Sequence, residues 1–209
     1  MRRSENSYKT LSSSKIKRKG IIFIVSGPSG SGKTTLCKKL LEQELIKGSL
    51  VKTVSVTTRT RRKGEKTNKD YQFITKNEFL RKKTRGQLLE SQEVFGFFYG
   101  TPKSFVRDNL KKGKDVLLCI DVKGAQAVKK KYPKACGIFV MPPSLQVLRQ
   151  RLEERSTETK GHMQQRLKIA KWEMVFAKKY DYVILNNRLN VALAQLEAAI
   201  IIERARREK

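Results

Sequence analysis

The segment Gly27-Pro28-Ser29-Gly30-Ser31-Gly32-Lys33-Thr34 sets glycines, hydroxyl residues and one lysine at the spacing G-x-x-x-x-G-K-[ST]. Residues of these types in this order bind phosphate. The glycines let backbone N–H groups turn inward toward phosphate oxygens, Lys33 reaches the β and γ phosphates, and the Thr34 hydroxyl can ligate Mg²⁺. A helix that starts as the segment ends adds its unpaired N–H groups and its dipole. The segment implies a bound nucleoside triphosphate. It leaves open whether the γ phosphoryl passes to water or to a second substrate.

Such a loop belongs between a strand and a helix. The run "GIIFIV" before it is apolar and β-branched over residues 21–25, as expected of a strand buried on both faces of a parallel sheet, and a helix should begin near Gly32. Apolar runs recur at "VKTVSV", "DVLLCID", "CGIFVM" and "DYVIL", mostly separated by helical stretches. That alternation predicts an α/β, doubly wound fold with a mostly parallel sheet flanked by helices. In "GTPKSFVRDNLKKGKD", Thr101 suits an N-cap, Pro102 the first helical position and Gly113 the stop. Leu145, Leu148 and Leu152 share one face of a helix running to about Arg155, and Met163, Leu167, Ala170, Met174 and Ala177 form the stripe of a long amphipathic helix. A last helix from about Asn190 carries Leu193, Leu196 and Ile200. Two segments break the rhythm. From about Lys52 to Phe98 short strands ("YQFI", "QLLESQEVF", "FFYG") surround one helix near Lys76 to Lys83, which reads as a β-rich insertion. The stretch from Arg151 to Arg166 is charged, contains glycine and lacks a strand, so it reads as a surface turn between helices and a candidate lid.

Composition narrows the classes further. A chain of 209 residues, 38% apolar in periodic blocks and 32% charged, suffices for one domain with a proper core. Its apolar runs are far shorter than the ~20 residues that span a bilayer, so no membrane span is expected. Cys37, Cys119 and Cys136 are widely spaced and lack a histidine cluster, which argues against a disulfide framework or a zinc site and for a reducing cytosol. His162 is the single histidine, so a Ser-His-Asp triad or a histidine-based metal centre is not expected. The net charge of +28, from 47 basic and 19 acidic residues, must create a strong positive field. Either a solvation habit or a real attraction to nucleotides or nucleic acid accounts for it, but the even spread of lysines argues against a dedicated nucleic-acid partner. The first 19 residues read as a flexible basic tail, with a composition that a transit peptide would share.

Beyond the phosphate loop, "SVTTRTRRKGEKTNKDYQFI", "LLESQEVFGFFYGT", "LLCIDVKGAQ" and "RLEERSTET" follow in an order that resembles the guanylate kinases, from about Gly20 to the C-terminus. The resemblance implies a domain over residues 20–209, with a core of about 20–51 and 102–209, a GMP-binding insertion of about 52–101 and a lid of about 151–166. It implies transfer of the γ phosphoryl of ATP to GMP or dGMP, giving ADP and GDP, with Mg²⁺, in purine nucleotide metabolism and GMP recycling in the cytoplasm. A monomer or homodimer with these small molecules as its partners is expected.

Particular residues follow from the same resemblance. The GMP phosphate falls to Ser55, Arg59, Arg62, Tyr71 and Tyr99, whose forked guanidinium donors and phenol hydroxyls suit a phosphomonoester. Glu90, Thr101 and Asp121 would read the base. A carboxylate accepts from both N1–H and the N2 amine of guanine, whereas adenine would leave it unpaired. Thr101 fits this task and the helix cap equally. ATP would contact Gly27, Pro28, Ser29, Gly30, Ser31, Gly32, Lys33, Thr34 and Thr35, with Asn186 at the adenine. Lys33, Arg155 and Arg166 would neutralise charge on the transferred group. Two positions depart from the family pattern: Cys119 stands where an aspartate often precedes Ile120-Asp121, which puts metal or substrate organisation there in question, and Ser156 follows the first lid arginine in place of glycine or asparagine. A non-catalytic guanylate-kinase-like interaction module, a P-loop NTPase acting with nucleic acid and an adenylate-type kinase are the rival readings. Interaction modules tend to lose the phosphate loop, and Gly32, Lys33 and Thr34 are intact.

Overall fold

The computed structural model describes residues 19–62, 64–154 and 160–207. The expected basic tail up to residue 18, and Arg155 and Ser156, lie outside the described residues. Strand β1 (Ile22–Ser26) is buried along its whole length. It occupies the centre of a five-stranded sheet with, in spatial order, β2 (Leu50–Lys52), β7 (Asp115–Cys119), β1, β8 (Cys136–Met141) and β9 (Tyr182–Leu185). Every pairing in it is parallel. Alternate residues of a strand point to opposite faces. Ile21, Phe23 and Val25 accordingly pack with Leu36 and Leu40 of α1 (Lys33–Leu40) and Leu196 and Ile200 of α7 (Leu189–Arg207). Ile22 and Ile24 pack on the other side with Val106 of α3 (Lys103–Lys111) and Val128 of α4 (Val122–Lys131). Burial on both faces is why the run is apolar without alternation, and each such side chain contributes about 1.5–3 kcal/mol.

The register pairs Val25 with Cys119 and Ser26 with Phe139. This sets the phosphate loop beside the carboxyl ends of β7 and β8, the edge at which doubly wound sheets bind ligands. At the opposite edge the buried Asp115 carboxylate accepts from the Ile21 N–H at 2.9 Å and from Arg204 Nε of α7 at 2.8 Å. Among the described residues, no helix is long and apolar enough to cross a membrane.

The run "VKTVSV", expected as one strand, is two. Lys52 still pairs with Leu117 in the central sheet, but β3 (Val56–Thr57) belongs to a second sheet ordered β4 (Gln72–Phe73), β3, β6 (Phe97–Pro102), β5 (Leu88–Val94). The apolar pattern persists across the crossing because both ends are buried, so periodicity does not mark the switch. Helix α2 (Lys76–Thr84) is capped by Thr75, whose hydroxyl accepts from the Glu78 N–H at 3.2 Å, and stacks Phe79 on Phe98.

Strand β5 departs from simple alternation. Leu88 opposes Pro102 and Ser91 opposes Gly100, so one extra residue is inserted into β5. The irregularity lets Leu89 and Glu90, adjacent in sequence, both be buried: Leu89 enters the core against Val106, and Glu90 turns to the other side with Gln92 and Val94.

The helix expected to start at Thr101 starts later. Thr101 and Pro102 lie in β6, and α3 begins at Lys103 with no side-chain cap. The Thr101 hydroxyl is committed elsewhere, donating to Glu90 Oε1 at 2.6 Å. Gly113, with φ of 73°, does follow the helix end. Helix α5 (Leu145–Glu153) ends short of Arg155, and α6 (Lys160–Val175) begins before Met163, so helix occupies both ends of the segment 151–166. Ala177 falls in a 3-10 turn, Phe176–Lys179, that continues α6.

Candidate active site

A cleft of about 420 Å³ opens at the carboxyl end of the central sheet. Its walls come from the phosphate loop, the second sheet, the end of β7 and helix α6. The donor wall is set by backbone conformation. Gly27 and Gly32 have φ of 140° and 94°, a region that side-chain-bearing residues avoid, and Gly32 is the N-cap of α1. A side chain at Gly32 would also strike the Asn186 amide. Lys33 Nζ donates to the carbonyls of Gly27 at 2.5 Å and Pro28 at 2.8 Å, which holds the ammonium at the loop's mouth. Gly27, Ser29, Gly30, Gly32, Lys33 and Thr34 line the cleft, whereas Pro28, Ser31 and Thr35 do not. Asn186 is buried beneath the loop, not in the cleft; its Nδ2 donates to the Ser31 carbonyl at 2.7 Å.

The acceptor wall gathers Ser55, Arg59, Arg62, Tyr71, Tyr99, Glu90 and Asp121. Arg59 is 7% exposed and its guanidinium is already clamped. Nη1 and Nη2 donate to the two carboxylate oxygens of Glu65 at 3.0 and 2.8 Å, Nη1 also to the Thr60 carbonyl, and the group lies over the rings of Tyr71 and Phe73. Burial works to raise the Glu65 carboxyl, but hydrogen bonds from Arg59 and the Arg62 backbone N–H outweigh it and hold Glu65 below the usual range. Tyr71 packs edge-on to Tyr99, and burial raises its hydroxyl, so it stays protonated and can donate.

At the floor, Glu90 is 7% exposed and Thr101 fully buried behind it. Burial pushes Glu90 up to about 7; the Thr101 hydrogen bond opposes this, and the nearby Asp121 carboxylate adds to it. Asp121 caps α4 by accepting from the Gly124 N–H at 2.6 Å, while burial raises its carboxyl too. Arg166 of α6 reaches across the cleft, its guanidinium 5.2 Å from the centre of the Phe95 ring. Phe95 and Gly96 form the two-residue turn between β5 and β6, both with positive φ, the type I′ pattern. Arg155 lies outside the described residues.

Glu65, Glu173 and Phe95 are among the residues at this site that the sequence-based set lacks. Glu65 is the only acid in the basic stretch 58–69, and that isolation was its signal. Glu173, 8% exposed, lies seven residues after Arg166 on the same side of α6 and lines the cleft. Burial pushes it up to about 7 against the pull of Lys33. Phe95 carried no signal, since a turn phenylalanine reads as a surface residue.

A phosphate loop thus faces an arginine-tyrosine cluster and a buried acid across one cleft, an arrangement able to align a phosphate donor with a phosphate-bearing acceptor. Comparison with known proteins agrees. The family model described as guanylate kinase matches residues 19–203. A guanylate kinase of Caldanaerobacter subterraneus subsp. tengcongensis is 42% identical over 91% of both chains. One from Thermotoga maritima is 44% identical over 90% of this chain and 89% of its own. The crystal structure of guanylate kinase from Anaplasma phagocytophilum superposes with a TM-score of 0.73 at 39% identity, covering 91% of this chain and 87% of the other. With the family model spanning most of its length and relatives this similar along nearly the whole chain, the protein belongs to the guanylate kinase family.

Proposed function

We propose that the protein transfers the γ phosphoryl group of ATP to GMP or dGMP, giving ADP and GDP. The observation that carries this reading is the buried Glu90 carboxylate, held by Thr101 at 2.6 Å on the floor of the cleft that the phosphate loop opens into. Its remaining acceptor capacity complements the N1–H and N2 amine of guanine, and adenine would leave a desolvated charge unpaired. Arg59, Arg62, Tyr71, Tyr99 and Ser55 hold the acceptor phosphate. That phosphate has a second pKa near ~6, so it is largely a dianion at neutral pH and attacks with no general base. The loop N–H groups and Lys33 hold the donor phosphates, and Arg166, together with Arg155 outside the described residues, neutralises the charge that spreads over the transferred group. Helix α6 and the second sheet exclude water from the reacting atoms.

Magnesium is the cofactor we assign. The Thr34 hydroxyl and the Asp121 carboxylate line the same cleft and fit a hard cation that keeps several waters and is held largely through phosphates. The Cys119 thiol is a soft ligand and does not suit it. When bound there, such an ion would supply charge neutralisation at the donor phosphates. Asn186 supports the phosphate loop and reaches adenine only if the loop exposes it. The cytoplasm is the proposed compartment, with a monomer or homodimer as the working unit and no nucleic-acid partner.

The test is ADP formation with GMP, dGMP, AMP, UMP and CMP as acceptors. Activity with GMP and dGMP alone is expected. Equal use of all five would remove the guanine assignment, and activity with none would remove phosphoryl transfer.

A further inference from the structure

Helix α4 opens with Val122-Lys123-Gly124, and Gly124 is buried in its first turn. Its backbone is helical and outside the left-handed region, so the chain's path does not call for glycine, which costs stability relative to alanine inside a helix. The neighbourhood supplies the reason. A Cβ added to Gly124 would lie 3.0 Å from Glu90 Oε2 and 3.2 Å from Asp121 Oδ1, whereas ordinary van der Waals contact begins at 3.4 Å. Both oxygens belong to groups already tied down. Glu90 is 7% exposed and its Oε1 accepts from Thr101 at 2.6 Å, while Asp121 Oδ1 accepts from the Gly124 N–H at 2.6 Å. The helix is fastened as well: Ala125 and Val128 share a buried cluster with Leu89, and Lys131 Nζ donates to the Leu89 carbonyl, beside Glu90 in β5. We propose that Gly124 is a positioning residue for acceptor recognition, its missing side chain leaving the Glu90 carboxylate the seat from which it meets the base.

This role rests on the assignment of Glu90 to guanine proposed above. Gly124 does not itself line the cleft, so a methyl there reaches the acceptor nucleotide through Glu90. With Oε1 held by Thr101, crowding at Oε2 turns the carboxylate about that hydrogen bond and carries its free acceptor off the line of the base's donors. Hydrogen bonds weaken steeply as their angle departs from linear, and a buried acid that misses its donors is left desolvated and unpaired. The donor nucleotide is held by the phosphate loop, on the other side of the cleft, and should not register the change.

GMP and ATP binding are measured by calorimetric titration of the full-length protein, with steady-state ADP formation alongside, for the unsubstituted protein, Gly124→Ala, Glu90→Gln and the double variant. Gly124→Ala keeps the backbone N–H that caps Asp121 and improves helix propensity, so the protein should fold, as its Tm records. In Gly124→Ala, Kd and KM for GMP should rise at least about tenfold, with kcat changed less than about threefold and Kd for ATP unchanged. On top of Glu90→Gln the same change should cost less than about twofold, because two substitutions that act through one contact do not add. GMP binding by Gly124→Ala as tight as that of the unsubstituted protein would overturn the role. So would a tenfold loss that persists in full beside Glu90→Gln, which would run through Asp121, and so would a Gly124→Ala protein that no longer folds, which would make the glycine a packing requirement. Failure of the unsubstituted protein to bind GMP is a separate outcome of the same titration: it removes the reading of Glu90, and this role with it.

Discussion

Glu90 meets two opposed demands with one carboxyl. In the role proposed above, accepting from guanine, it must be ionised, yet burial pushes it up to about 7, so the folded protein holds its proton more tightly than the unfolded chain does. The stabilisation from the neutral form is complete below the unfolded value near 4.5 and is lost as pH rises toward about 7. Above that, keeping the charge costs on the order of 3 kcal/mol. Glu90→Gln keeps the shape and an oxygen for the Thr101 hydroxyl. It should therefore raise Tm by several degrees at pH 8 and little at pH 5, as thermal unfolding at the two pH values would record. The same change should lower kcat/KM for GMP at least about 100-fold, because an amide cannot accept twice from guanine. It should also remove the loss of kcat/KM below about pH 7 that titration of Glu90 causes, leaving the limb from the GMP phosphate near ~6. Unchanged GMP use in this variant would end the assignment of Glu90 to the base.

At the scale of the element, the turn Phe95-Gly96 places a phenylalanine in the left-handed region, at a cost of about 1–2 kcal/mol, and holds its ring under Arg166. Asparagine suits that backbone far better. Phe95→Asn relieves strain while losing the ring–guanidinium contact of about 0.5–1 kcal/mol and some apolar burial, so Tm should move by less than about 2 °C. Without the ring beside the Arg166 guanidinium, kcat should fall severalfold while KM for GMP changes little; steady-state kinetics separates the two. Elements of this kind mark where sequence reading stopped. The run before Gly27, the stripe from Met163 and the cap-like end at Gly113 were legible because period and turn chemistry are local. The phosphate loop was legible for the same reason, being one contiguous segment at the end of a buried strand. Thr101 misled because the same residue type caps helices and pairs with buried acids, and only the partner strand decides. Glu65 and Glu173 escaped because their meaning comes from Arg59 and from Lys33, reached through a loop and a distant helix.

Across the whole molecule, the cleft and its anchor lie at opposite ends of the central sheet. Asp115 and Cys119 begin and end β7, roughly 13 Å apart at strand spacing. Arg204 is a charge partner of a carboxylate that is 1% exposed, so removing it leaves a buried charge with less compensation. Arg204→Ala should destabilise the fold by about 3 kcal/mol and lower Tm by about 6–12 °C. Its kcat, measured well below the transition, should match that of the unsubstituted protein, since the described partners of this pair, Ile21, Leu45 and Ser49, do not line the cleft. A large fall in kcat with Tm unchanged would show that the far end of the sheet governs the chemistry.

The extra residue in β5 makes that strand intolerant of length change, although it is the outer strand of its sheet, where insertions and deletions are usually cheap. Leu88, Leu89 and Glu90 each serve a different neighbourhood, and a chain one residue shorter between Leu88 and Ser91 has one seat it cannot fill. Either the hydrophobic interior loses a leucine or the cleft loses its buried acid. If Glu90 reads the base as proposed, acceptor choice is stored as a count of residues as much as in the identity of any one of them.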